Sequence, residues 1–185
     1  MSRSVCIIYG IFEGPAMGRQ LVKALKQAGF TMVSDASQAD VIIAHSGGCY
    51  LVPEHNRARL IVQIGLAYWP GHIWLLSTVR KVAREISAAR HEHRLGEWGR
   101  KWLYHMLYAF NLGPALRMAR NHAATKPWNS PQRQIIVRNR HDVYCSPEVY
   151  KLAFRGPRAF ISLPGEHDDC WDHPERYVSL LQSEL

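Results

Sequence analysis

The sequence predicts an α/β fold: a doubly wound, mostly parallel six-stranded sheet with helices on both faces and a helical, cap-like insertion. Two patterns carry that expectation. Short apolar runs alternate along the chain with segments of helical period, the rhythm of strand–helix–strand units. The apolar runs are nearly continuous, as strands covered on both faces must be. Size supplies a third constraint. With 185 residues, 47% of them hydrophobic, the chain supports one full core, so residues 1–185 read as a single domain.

The elements follow in order. VCIIY at 5–9 is the first strand. Arg3 ahead of it gives a superficial likeness to a signal peptide, but the apolar run is about eight residues long, stops at Glu13 and lacks a small-residue cleavage site. In AMGRQLVKALKQAGF, Met17, Leu21, Leu25 and Ala28 form a helical stripe, and Gly29 stands where a helix ends. Strands are expected next at 30–33 (FTMV), 41–44 (VIIA) and 59–64 (RLIVQI). Two more follow at 134–137 (QIIV) and 159–163 (AFISL), with helices at 147–154 and 174–184.

Residues 70–130 break this rhythm. IWLLSTVRKVAREISAAR and GEWGRKWLYHMLYAFNL have amphipathic helical patterns and read as an insertion between the fourth and fifth strands. Ten lysines and arginines against three glutamates place +7 of the chain's net +8 there. The same segment carries Trp74, Trp98, Trp102, Tyr104, Tyr108 and Phe110. Either this is a solvated helical face over an apolar floor, or its cations meet an anionic membrane surface or an acidic ligand. No nucleic-acid-binding module is recognisable, so nucleic acid is not an expected partner.

Other classes are excluded on composition. No run of about 18 apolar residues exists, so no membrane-spanning helix is expected. Cys6, Cys49, Cys145 and Cys170 are far apart and form no C-x-x-C pair, which favours reduced thiols and a cytoplasmic location. His91 and His93 flank Glu92 without a third ligand at helical spacing, so no metal site is expected. YGIFEGPAMG lacks both the G-x-G-x-x-G spacing and a Lys-Ser/Thr pair, so it is not a phosphate-binding loop.

The chemistry lies in ADVIIAHSGGCYLV. An apolar strand runs into Ala44-His45-Ser46-Gly47-Gly48, a small-x-Ser-x-small sequence expected to lead into a helix. A serine at so sharp a turn projects its Oγ clear of the backbone, and the N–H after it points where an oxyanion would form. A serine capping a helix after a strand is the plainer alternative.

Order along the chain favours the first reading. This sequence resembles the α/β-hydrolase family, whose members place Ser, then Asp or Glu, then His after successive strands. Here RQIIVRNRHDVYCSPE leads to Asp142, and RAFISLPGEHDDCWDHPERY leads to His167. The resemblance covers nearly the whole chain, with the family's first two antiparallel strands absent. Alanine replaces the first glycine of the motif, and Tyr9-Gly10 stands where His-Gly is common. It implies the spatial strand order 2-1-3-4-5-6 and a Ser46–His167–Asp142 triad. Backbone N–H groups of Gly47 and Ile11 would form the oxyanion hole, with His45, Phe12, Tyr9 and His141 at the rim of the substrate site. The insertion falls where the family places a cap. The implied activity is hydrolysis of a carboxylic ester or related acyl bond on a small molecule, without cofactor or metal. A thioesterase, a peptidase with the same triad, and a non-catalytic binding protein on this fold are the alternatives. Among competing residues, His173 directly precedes Pro174 and reads as surface. Asp168 and Asp169 adjoin His167 too closely to orient it, and Cys49 reads as core.

Overall fold

A computed structural model describes residues 3–10, 13–66, 132–142 and 159–185, together with Ala83, Ser87, Arg90, Gly96 and Gly99. Those five isolated positions are helical and exposed. The rest of the expected insertion and the helix expected at 147–154 lie outside the described residues.

The described elements are β1 (Ser4–Ile8), α1 (Arg19–Gln27), β2 (Thr31–Met32), β3 (Val41–His45), β4 (Leu60–Ile64), β5 (Arg133–Asn139), β6 (Ala159–Leu163), α2 (Asp169–Asp172) and α3 (Pro174–Glu184). The six strands form one all-parallel sheet in the order β2-β1-β3-β4-β5-β6, as expected. In register, Val5 lies beside Val41, Val41 beside Leu60 and Leu60 beside Arg133.

Period-two alternation splits the strand residues between two cores. On one face Val5, Val41, Ile43, Leu60, Val62, Ile135 and Val137 pack with Leu21 and Leu25 of α1, Trp171 of α2, and Tyr177 and Leu181 of α3. On the other, Cys6, Ile42 and Ile61 gather with Ala39 and Ala58. Fully burying one Leu or Ile contributes about 1.5–3 kcal/mol, so the first core dominates the described part of the fold. Helix α1 ends as its glycine predicts. Gly29 adopts φ +87°, while Gly29 N–H bonds the Lys26 carbonyl and Phe30 N–H that of Leu25.

Two local expectations are corrected. The chain after β3 forms a 3₁₀ turn over Ser46–Leu51, not an α-helix. Two adjacent glycines weaken helix formation there, and Pro53 blocks its continuation. The edge strand β2 pairs over only two residues, because Phe30 belongs to the helix end and its ring enters the core.

At the N-terminal edge of the sheet, Arg3 hydrogen-bonds the Leu185 backbone carbonyl and Arg133 pairs with Glu184. Arg3 and Leu185 meet there beside a cleft of about 630 Å³, lined also by Asp40, Arg59 and Leu60.

Candidate active site

All strands run the same way, so every residue following a strand emerges at one edge of the sheet. The strand order reverses between β1 and β3, and a doubly wound sheet forms its ligand crevice at such a point. Ser46 stands there. Its φ of +52° is the one positive value among described non-glycine residues, a conformation that bears strain for an L-residue. Ser46 is 9% exposed and, among the described residues, its Oγ makes no hydrogen bond.

Small residues make this turn fit. A Cβ on Gly48 would lie 2.5 Å from the Ile8 carbonyl oxygen and 2.7 Å from that of Tyr9, so it is the end of β1 that demands a glycine here. A Cβ on Gly10 would lie 2.9 Å from Ser46 Cβ, so the loop after β1 also packs closely on the serine.

The Asp and His reach each other through loops after β5 and β6. His167 Nδ1 lies 2.8 Å from Asp142 Oδ2, and both residues are 6% exposed. A carboxylate can only accept, so in the neutral ring Nδ1 carries the proton and Nε2 does not. The loops are joined by backbone bonds, with Arg140 N–H donating to the Leu163 carbonyl and His141 N–H to that of Gly165. A side-chain strut reinforces them. Arg176 pairs with Asp169 through two contacts of 2.8 and 3.0 Å. Tyr177 Oη donates to Asn139 Oδ1 at 2.8 Å and lies 3.2 Å from Asp169 Oδ2, and Asn139 Nδ2 donates to the Glu166 carbonyl at 2.7 Å. Burial, with Cys170 and Asp169 beside it, pushes the Tyr177 phenol far above its ordinary value, so it stays a donor.

The expected site residues therefore divide. Ser46, Asp142 and His167 stand at the same sheet edge, Gly47 is buried beside Ser46, and Ile11 and Phe12 lie outside the described residues. Tyr9 is half-buried and stacks on Trp171 with ring centroids 5.6 Å apart. His141 is exposed, as is His173, and Cys49 is buried. The expectation for His45 is corrected. It is 0% exposed and lies beneath the site, not at its rim, with its ring 4.9 Å from that of His167 and edge-on to Trp171 at 5.0 Å. An alternating strand sends residue 45 to the covered face when residue 46 turns outward.

Two functional positions escape a reading of the sequence. Gly65, at φ +55°, underlies the His–Asp pair, where a Cβ would lie 3.0 Å from His167 Nδ1 and 3.2 Å from Asp142 Oδ2. Its place directly after a strand is the only signal. Glu13 folds inward to meet His45 Nδ1 at 2.7 Å, and Gly10 N–H donates to its other oxygen at 2.7 Å. His45 Nε2 lies 2.9 Å from the His167 carbonyl, which can only accept, so both His45 nitrogens act as donors when the ring is charged. Burial opposes that charge, but neighbouring Cys170 and Glu13 outweigh it and hold the ring well above its ordinary pKa. Burial pushes the Cys170 thiol up to about 11. It is therefore uncharged near neutrality, where Glu13 Oε1 is the acceptor that faces His45 Nδ1.

Glu13, His45, His167 and Asp168 each bring one donor atom within 4.8 Å of the others, a set of the kind a divalent transition ion takes. Both His45 nitrogens already hold hydrogen bonds, however, and Glu13 spends its two oxygens on Gly10 and His45. Metal ligation would have to break that network.

No protein-family model matches the sequence, and no curated protein matches it. Solved structures do. The enol-lactonase from Burkholderia xenovorans LB400 aligns at TM-score 0.63 and 10% identity, over 99% of this chain and 91% of that one. MGS-M2, an α/β-hydrolase enzyme from a Medee basin deep-sea metagenome library, aligns at TM-score 0.66 and 14% identity, over 98% and 88%. A thioesterase domain from the curacin biosynthetic pathway aligns at 0.60 and 11%, over 98% and 91%. Identities this low speak to architecture alone. With the all-parallel sheet, its strand order and the serine turn after β3, they identify the chain as having the α/β-hydrolase fold.

Proposed function

We propose that this protein is a serine hydrolase that cleaves a carboxylic ester or a related acyl bond through an acyl-enzyme. One observation carries the reading. A serine held at positive φ follows the strand at the switch point, and at the same sheet edge His167 Nδ1 is paired with Asp142 at 2.8 Å. His167 Nε2 takes the proton of Ser46 Oγ as the oxygen attacks the carbonyl carbon. Asp142 keeps the imidazole in the required tautomer and stabilises the imidazolium. Backbone N–H groups of Gly47 and Ile11 receive the developing oxyanion, each worth on the order of 3 kcal/mol in the transition state. The imidazolium then protonates the leaving group, and water repeats the sequence on the acyl-enzyme. Oγ and the ring are not hydrogen-bonded in the free protein, and such contacts commonly tighten only when substrate is bound.

The similar structures include a lactonase and a thioesterase domain, both named for acyl bonds, and that supports the substrate class. A fluorophosphonate probe tests the reading. Ser46 is expected to label, and Ser46→Ala to lose labelling and about 10³-fold or more of the rate on a small activated ester. Unchanged hydrolysis by Ser46→Ala would defeat the proposal.

A further inference from the structure

A buried pair of opposite charges lies beside the nucleophile, and the triad itself has no use for it. The Glu13 side chain is 6% exposed and the His45 side chain 0%. The carboxylate holds Gly10 N–H with one oxygen and His45 Nδ1 with the other, while His45 Nε2–H donates to the His167 carbonyl. Two side chains thus join the loop after β1, the end of β3 and the loop after β6. These segments carry a candidate oxyanion donor, the nucleophile and the base.

Burying charge is expensive, and a pair like this one survives only where every lone pair and proton finds a partner. Apolar residues of similar volume could fill the same space at less cost, so a role in holding geometry is the natural explanation. We propose that Glu13 and His45 are positioning residues, a charge-balanced clamp that keeps the oxyanion loop, the serine turn and the base loop in register. The catalytic meaning of the clamp rests on the serine-hydrolase reading; its charge balance does not. Glu13 and His45 each have an atom within 4.8 Å of one on His167. While balanced, the pair presents no net charge to His167. Stripped of its cation, it draws a proton onto His167. Among the described residues, the other titratable groups facing the two histidines are Asp142 after β5, Asp168 beside His167, Cys49 in the turn after β3 and Cys170 on α2. All four are untouched in the variants that follow.

Three substitutions separate the roles. Glu13→Gln can keep every hydrogen bond, because its amide accepts from Gly10 and donates to a neutral His45; only the charges vanish. Glu13→Leu removes both acceptors. His45→Asn keeps a donor to Glu13 but removes the balancing charge and the tie to His167. The His167 pKa is read in each folded protein by NMR titration of its ring carbon, beside fluorophosphonate labelling and steady-state kinetics. Glu13→Gln is expected within about threefold of the unsubstituted rate, and Glu13→Leu to lose about 30-fold in kcat with KM little changed. In His45→Asn the His167 pKa is expected to rise by about 1–2 pH units. An unshifted His167 in His45→Asn overturns the charge balance, and equal rates for Glu13→Leu and Glu13→Gln overturn the clamp. If Glu13→Leu does not fold, the other two variants carry the test. Failure of Ser46 to label in the unsubstituted protein would sink the hydrolase reading instead, and the His167 titration would still decide the pair.

Discussion

Gly65 contributes no reacting group, yet the His–Asp pair cannot sit where it does without it. Its positive φ would strain an L-residue, and a Cβ there would lie 3.0 Å from His167 Nδ1 and 3.2 Å from Asp142 Oδ2. Gly65→Ala is therefore expected to cost about 1–3 kcal/mol of stability and to lower kcat at least tenfold, read by urea denaturation and ester hydrolysis. A variant with unchanged kcat would show that His167 has slack in this packing. The residue scale is also where sequence is least and most informative. Ser46, Asp142 and His167 could be picked out as candidates because each needs only a residue type at a strand end, in a given order, and the structure pairs Asp142 with His167. Gly65, Glu13 and the burial of His45 were not, because they depend on how far a side chain reaches across loops distant in sequence. The triad pattern names its members and is silent on what they rest against.

Among the elements, the strut behind the His167 loop makes the firmest prediction. Asn139 ends β5, Asp169 opens α2 and Tyr177 lies in α3, so one hydroxyl ties three elements together. Tyr177→Phe leaves Asn139 Oδ1 buried without that donor and is expected to destabilise the protein by about 1–3 kcal/mol. His167 should then be held less firmly, and kcat should fall while KM changes little. A stability loss with unchanged kcat would mean that the backbone bonds between the two loops suffice. The strands were readable because a continuous apolar run of four to six residues has few other uses. Four-residue α2 is too short to show a helical period, and the Ser46–Leu51 turn reads as a helix in sequence because glycine pairs weaken a pattern without erasing it. Of the basic segment 70–130, only isolated helical positions are described, so its proposed contact with anionic membranes or acidic ligands stays a proposal.

For the whole molecule, strand order and direction were predictable because right-handed crossovers leave few alternatives, and one consequence of the packed sheet is measurable across pH. Burial raises Cys49 from its ordinary 9.0 to about 12 and Cys170 to about 11. Between 9 and those values the unfolded chain ionises its thiols while the folded chain cannot, so folding stability falls as pH rises. His45 acts in the same direction: its raised value contributes stability below about pH 6.5 that is lost as pH climbs through the folded value. Urea midpoints should thus decline on the alkaline side, and Cys170→Ala should flatten the decline above pH 9. A midpoint level from pH 7 to 11 would contradict the burial of these thiols. Among the described residues no helix is long and apolar enough to cross a membrane. The meeting of Arg3 with the Leu185 carbonyl bears on handling as well as on folding. Arg3 and Leu185 lie at the sheet edge opposite Ser46, so a tether that holds the molecule by that edge pulls on its floor and leaves the edge bearing Ser46 unobstructed. Protein immobilised by that edge should work on a solid support much as it does free.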